Sequence, residues 1–237
     1  MPDHIMKAYD AELEGLGQMI AEMGGIAEKM LSDAIDALSD FDIKLAHSTI
    51  ATDPRLDALQ RQIEEQAILT IARRQPLAVD LREIIATIRI SNDLERVGDL
   101  AKNIAKRAIR VAADVRIPRA IVGLKSMHDQ AAILLKDVLD AYSERDAERA
   151  RAVWTHDAEL DSLEDSVFRD LLTFMMEDPR NISFCAHLLF CSKNIERIGD
   201  HATNIAETVV YLVTGETMPT DRPKGRSFLS DAPSATS

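Results

Sequence analysis

Asn92–Ala108 reads NDLERVGDLAKNIAKRA, and Lys193–Val209 reads KNIERIGDHATNIAETV. Within them Glu95-Arg96-Val97-Gly98-Asp99 returns as Glu196-Arg197-Ile198-Gly199-Asp200, 101 residues later. Asn103-Ile104-Ala105 returns as Asn204-Ile205-Ala206 at the same offset. Upstream, Asp53-x-x-Leu56-Asp57-x-Leu59 returns as Asp157-x-x-Leu160-Asp161-x-Leu163, 104 residues on. Two motifs recurring at offsets this close define a duplicated unit of about 100 residues.

The apolar spacing around these motifs is helical. Tyr9, Leu13, Leu16, Ile20, Met23, Ala27, Met30, Ala34, Leu38, Phe41 and Leu45 follow one another at threes and fours, the period of a helix in a bundle. Gly24 and Gly25 interrupt this first stripe and predict a bend or a close helix contact. A second helix is expected from about Asp53, with Pro54 at its first position, to about Arg74, where Pro76 forces a turn. A third runs from about Leu77 to Ala113, a fourth from Pro118 to about Ala150, a fifth from about Trp154 to Met176. After a turn at 177–181 a sixth reaches about Val213, with Gly215 as its C-cap. The expectation is an all-α protein of two tandem three-helix bundles: residues 1–115, then 116–216. Residues 217–237 are Pro/Ser-rich and read as a disordered polar tail.

Composition agrees. Hydrophobic residues make up 46% and aromatics only 4%, which suits helix packing. The net charge of -12 disfavours nucleic acid and anionic lipid as partners. The N-terminus has no apolar signal core, and no run approaches the ~20 apolar residues of a membrane span. Cys185 and Cys191 read as buried free thiols. The expected compartment is the cytoplasm.

The chemistry-bearing pattern is acidic. Each repeat has two carboxylate pairs spaced i, i+4: Asp53/Asp57 and Glu95/Asp99, then Asp157/Asp161 and Glu196/Asp200. Residues four apart share a helix face, with Cβ atoms about 5–6 Å apart. Asp57 and Glu95 each lie 19 residues from Pro76, and Asp53 and Asp99 each lie 23 from it. In an antiparallel hairpin turning there, the two pairs come level, about 28 Å from the turn for the nearer residues. In the second repeat the same symmetry is centred beside Pro179. Glu95 and Asp99 flank Ile88 on the inward stripe, and Glu196 and Asp200 flank Leu189 likewise, whereas Asp53 and Asp57 lie at the edge of an apolar face. The quartets therefore belong at a bundle seam open to solvent on one side.

Four neighbouring carboxylates repel, and a cation removes that penalty. All-oxygen donors select Mg, Mn, Fe or Ca, divalent or trivalent, with Zn also admitted. Arg96 and Arg197 are the alternative, local neutralisers. Asn103 and Asn204 extend the i+4 ladder, either orienting a carboxylate or water or simply packing. His156 and His201 adjoin acids, but neighbouring residues on a helix point about 100° apart. None of the six histidines follows an acid at i+3, which argues against a di-iron oxidase bundle.

Glu-Arg-(Val/Ile)-Gly-Asp followed by Asn-Ile-Ala, twice, each behind Asp-x-x-Leu-Asp-x-Leu, resembles the PhoU family over about residues 5–215. The resemblance implies two three-helix bundles related by a pseudo-twofold, with metal clusters on E(D)-x-x-x-D motifs that match the eight acids above. It implies a non-enzymatic, cytoplasmic negative regulator of phosphate uptake and the phosphate-starvation response. Such a regulator couples a phosphate-specific ABC transporter, through its ATPase subunit, to a sensor histidine kinase, and commonly dimerises. Two other classes use the same residues: a metal-dependent phosphohydrolase, which lacks cations to hold a phosphoryl ester beyond Arg96 and Arg197, and a purely structural scaffold.

Overall fold

The computed structural model describes residues 2–112 and 117–219, with side chains from Tyr9 onward. Six helices follow in order: α1 Pro2–Asp40, α2 Ile43–Arg74, α3 Ala78–Val111, α4 Pro118–Glu144, α5 Ala147–Glu177 and α6 Ile182–Thr214, with a 3-10 turn at Pro179–Asn181 before the last. No strand occurs among the described residues.

The first break in each repeat lies elsewhere than the apolar stripe suggests. α1 ends at Asp40 and α2 starts at Ile43, not near Asp53. Phe41 takes a left-handed turn (φ 57°), and the Asp42 carboxylate caps the new helix by accepting from the backbone N–H of Lys44 (2.8 Å) and Leu45 (3.0 Å). The second repeat does the same: Arg145 is left-handed (φ 56°), and Asp146 accepts from Glu148 and Arg149, so α5 starts at Ala147 rather than near Trp154. Pro54 accordingly lies inside α2, where it removes one helical donor. Both helices at each corner face one core, so the hydrophobic period runs through the break without a gap. α4 stops at Glu144 rather than near Ala150, while the ends expected for α2 and α6 hold: Gln75 closes α2 in a left-handed cap just before Pro76, and Gly215 closes α6 at φ 78°.

Gly24 and Gly25 resolve as a close contact. A Cβ at Gly24 would sit 2.8 Å from Leu139 Cδ1 on α4, whereas one at Gly25 meets nothing within 4 Å. α1 continues through both.

Within each repeat the three helices pack on one another, and the repeats join through α3 on α6 and α1 on α4. α3 and α6 run antiparallel. Arg82 near the start of α3 lies over the Tyr211 ring near the end of α6, Asp93 meets His201 midway, and Arg107 meets His187 at the far end. Equivalent helices pairing antiparallel is the relation a pseudo-twofold produces. One continuous buried cluster crosses both repeats, from Leu16 to Leu212. The expected boundary at 115/116 falls outside the described residues, as do residues 220–237 of the expected tail. The described start of that tail, through Pro219, has no regular structure, though Met218 packs against the core. Among the described residues no helix is long and apolar enough to cross a membrane.

Candidate functional site

The α2–α3 and α5–α6 hairpins carry the acids. In the first repeat Asp53 is buried (8% exposed), while Asp57, Glu95 and Asp99 are half-buried. In the second, Asp157 is more deeply enclosed (1%), and Asp161, Glu196 and Asp200 are half-buried. Asp53 thus lies deeper than the edge position expected from helical angle, and Asp157 is buried likewise. The glycines of the repeated motif explain this. A Cβ at Gly199 would come within 2.7 Å of Asp157 Oδ1 and 2.4 Å of Leu160 Cδ2, and at Gly98 within 2.3 Å of Leu56 Cδ2. Without side chains there, α3 closes on α2 and α6 on α5 over the aspartates.

Each quartet is electrostatically coupled. The Glu95 carboxyl is held above its ordinary range, first by burial and then by the negative charge of Asp99, Asp57 and Asp53, with Arg96 opposing. Glu196 is raised first by burial, with Asp200 and Asp161 adding and Lys193 opposing. Glu196 Oε2 is buried and has no hydrogen-bond partner among the described residues, while its Oε1 accepts from Lys193 Nζ at 2.9 Å.

The two quartets differ in their lysines: Lys193 has Asn92 as its counterpart in the first repeat, and Lys102, which sequence reasoning overlooked, is absent from the second. Lys102 Nζ sits between Asp53 Oδ2 (2.8 Å) and Asp99 Oδ1 (2.5 Å). Burial pulls the lysine's pKa down, but the hydrogen bonds to both aspartates outweigh it and the net shift is upward. Its counterpart 101 residues on is Thr203, whose hydroxyl donates to the Asp200 carbonyl. Lys102 falls one turn after Asp99, and that i+3 spacing is indistinguishable in sequence from a solvated surface pair.

The auxiliary residues divide. Arg96 stays local, 3.3 Å from both Glu95 and Asp99, and is 62% exposed. Arg197 is exposed. Asn204 donates to Asp93 of the other repeat at 3.3 Å, and His201 Nδ1 contacts the same Asp93 Oδ1 at 2.8 Å. Both side chains thus tie the repeats together. Asn103 is exposed at the edge of a basic pocket, and His156 is exposed on α5.

A hard cation suits this donor set, with its oxygen ligands and the buried Glu196 Oε2. In the present arrangement, however, among the described residues no group of three or more His, Cys, Asp or Glu side chains is placed to hold a metal ion. In the first repeat the ammonium of Lys102 already stands between two of the acids.

Comparison with known proteins follows the same duplication. The PhoU domain model matches twice, over residues 20–108 and 124–209. The chain belongs to the PhoU family. It is 55% identical over 222 residues to the phosphate-specific transport system accessory protein PhoU homolog of Rhizobium meliloti (strain 1021), covering 93% of each chain. It is 48% identical to the homolog of the same name from Caulobacter vibrioides (strain NA1000 / CB15N), covering 94% of this chain and 97% of that one. Among solved structures, PhoU from Pseudomonas aeruginosa superposes with a TM-score of 0.85 at 40% identity, covering 88% of this chain and 100% of that one. The phosphate transport system regulatory protein PhoU from Streptococcus pneumoniae superposes at 0.82 with 27% identity, covering 89% and 99%. In the repeated motif Gly98 packs against Leu56 and Gly199 against Leu160.

Proposed function

We propose that this protein is a non-enzymatic accessory regulator of a phosphate-specific transport system, acting from the cytoplasmic side as a negative regulator of phosphate uptake and of the phosphate-starvation response. It couples the transporter's ATPase subunit to a sensor histidine kinase and works as a homodimer. The observation that carries this reading is the match over 93% of both chains to a PhoU relative named as a phosphate-specific transport system accessory protein, with the acidic motif present twice in this sequence.

Within that role we assign the quartets to oxygen-ligated metal ions. Asp157, Asp161, Glu196 and Asp200 hold metal in the second repeat. Asp53, Asp57, Glu95 and Asp99 do so in the first once Lys102 swings away. A loaded quartet turns an acidic seam into a surface able to meet a phosphate or an acidic partner.

Two experiments test this. Deleting the gene should switch on phosphate-starvation genes in phosphate-rich medium, with the intact chain restoring repression; unchanged expression overturns the regulator reading. Metal analysis of the purified protein beside an Asp99→Ala/Asp200→Ala variant tests the metal assignment separately, and equal metal content in the two overturns it.

A further inference from the structure

At the end of the α3–α6 pair away from Tyr211 lies a pocket of about 560 Å³. α3 lines it with Asn103, Lys106, Arg107 and Arg110, spaced i, i+3, i+4 and i+7 along one face. α6 closes it with His187, Phe190 and Asn194. No acidic side chain among the described residues lines it, in a chain of net charge -12. Among the described residues, no salt bridge involves Lys106, Arg107 or Arg110. Arg107 is instead held in place by two rings: its Nη1 lies 2.9 Å from His187 Nδ1, and its guanidinium lies 4.2 Å over the exposed Phe190 ring.

The pocket is a departure from the repeat. At the pseudo-equivalent end, Glu207 stands for Lys106, Thr208 for Arg107, Tyr211 for Arg110 and Asp93 for Asn194. There the acids and arginines already have partners: Asp93 with His201, Glu207 with the Trp154 indole N–H, and Arg82 and Arg89 over Tyr211. Three cations gathered with no carboxylate beside them among the described residues repel one another, and an anion relieves that repulsion.

We propose that this pocket binds a small ligand carrying linked phosphate groups. Lys106 and Arg110 stand on the same face about 6 Å of helix rise apart, a spacing that suits a ligand with more than one phosphate. Arg107, fixed between ring and imidazole, offers its remaining N–H groups to the same chain. The volume exceeds what orthophosphate fills and falls within the range of small-molecule sites. The exposed face of Phe190 leaves room for a planar ring attached to the phosphates. None of the eight acids of the quartets lines this site, and it needs no metal.

Calorimetric titration of the full-length protein, treated with EDTA so that no metal-bridged phosphate is counted, tests the assignment. Tripolyphosphate should bind saturably and at least ten-fold more tightly than orthophosphate. Lys106→Gln/Arg110→Gln should weaken it ten-fold or more, with an unchanged far-UV circular dichroism spectrum, while Arg82→Gln/Arg89→Gln leaves it unaltered. ATP separates the two sources of the phosphate chain. Affinity equal to tripolyphosphate means the chain alone is read; tighter binding that Phe190→Ala abolishes means a nucleotide base rests on the ring. Absence of tripolyphosphate and ATP binding, or binding unchanged in Lys106→Gln/Arg110→Gln, overturns the proposal without touching the metal assignment.

Discussion

Lys102 reaches from α3 across to α2, placing its ammonium 2.8 Å from Asp53 Oδ2 while also holding Asp99 on its own helix. The lysine side chain is 19% exposed and that of Asp53 12%, so this pair is largely shielded from screening. In the second repeat the quartet's lysine is Lys193, which meets Glu196 at 2.9 Å.

Replacing Lys102 by Met should therefore have two opposite effects. Without metal, Asp53 loses its buried partner, and stability should fall by about 1–3 kcal/mol. With millimolar Mn or Mg, the vacated quartet should bind the ion more tightly than in the parent, recovering much of that loss. Urea denaturation with and without metal measures both. Equal metal-dependent stabilisation of parent and variant contradicts the counter-ion role.

Glycine substitutions should split by position. At Gly25 a Cβ meets open space, so Gly25→Ala should stabilise the protein by about 0.5–1 kcal/mol through helix propensity alone. At Gly199 the added methyl strikes both Leu160 and the Asp157 carboxylate, so Gly199→Ala should destabilise by about 1–3 kcal/mol despite the same propensity gain. Chemical denaturation midpoints of the two variants should move in opposite directions.

The α1–α4 seam carries a pH dependence. Burial holds the Glu28 carboxyl above its ordinary 4.5, with Asp140 adding and Lys136 opposing. The folded state therefore prefers Glu28 protonated. The stability that the proton confers is complete below 4.5 and is lost as pH rises through the folded-state value. Glu28→Gln, which mimics the protonated form, should raise the melting temperature at neutral pH, and the gap should close in acid. A gap constant from neutral pH to below 4.5 would rule this out.

The two thiols should be inert in the native protein. Burial pushes Cys191 up to about 12, with nearby Arg107 opposing, and burial also raises Cys185. Iodoacetamide at about pH 8 should leave both unmodified, while both should alkylate in urea, where thiols ionise near their usual value. Mass spectrometry reads the count, and rapid native labelling of Cys191 would contradict its burial.

The helix caps make a fifth test. Asp42→Ala and Asp146→Ala each remove a carboxylate that accepts two backbone N–H groups, and each should cost about 1 kcal/mol. Thermal melts of the single variants should show similar losses, since the two corners are built alike.

The sequence by itself determined the helical class, the duplication and the level of the acids. Each is a statement about spacing along the chain: threes and fours for helices, a fixed offset for the repeat, equal distances from Pro76 for the acidic pairs. Even the misplaced corners had a signal, since Ser39-Asp40-Phe41-Asp42 recurs as Ser143-Glu144-Arg145-Asp146 at the same offset of 104; the unbroken apolar stripe concealed it. Only the tertiary structure decided that Lys102 spans to Asp53, that His201 and Asn204 turn to Asp93, and that Lys106, Arg107 and Arg110 share a pocket with Phe190. Helical periodicity fixes which residues share a face. Which foreign side chain that face meets depends on the register in which α3 and α6 pack antiparallel, and that register is set by the fit of two whole helix surfaces rather than by any local pattern.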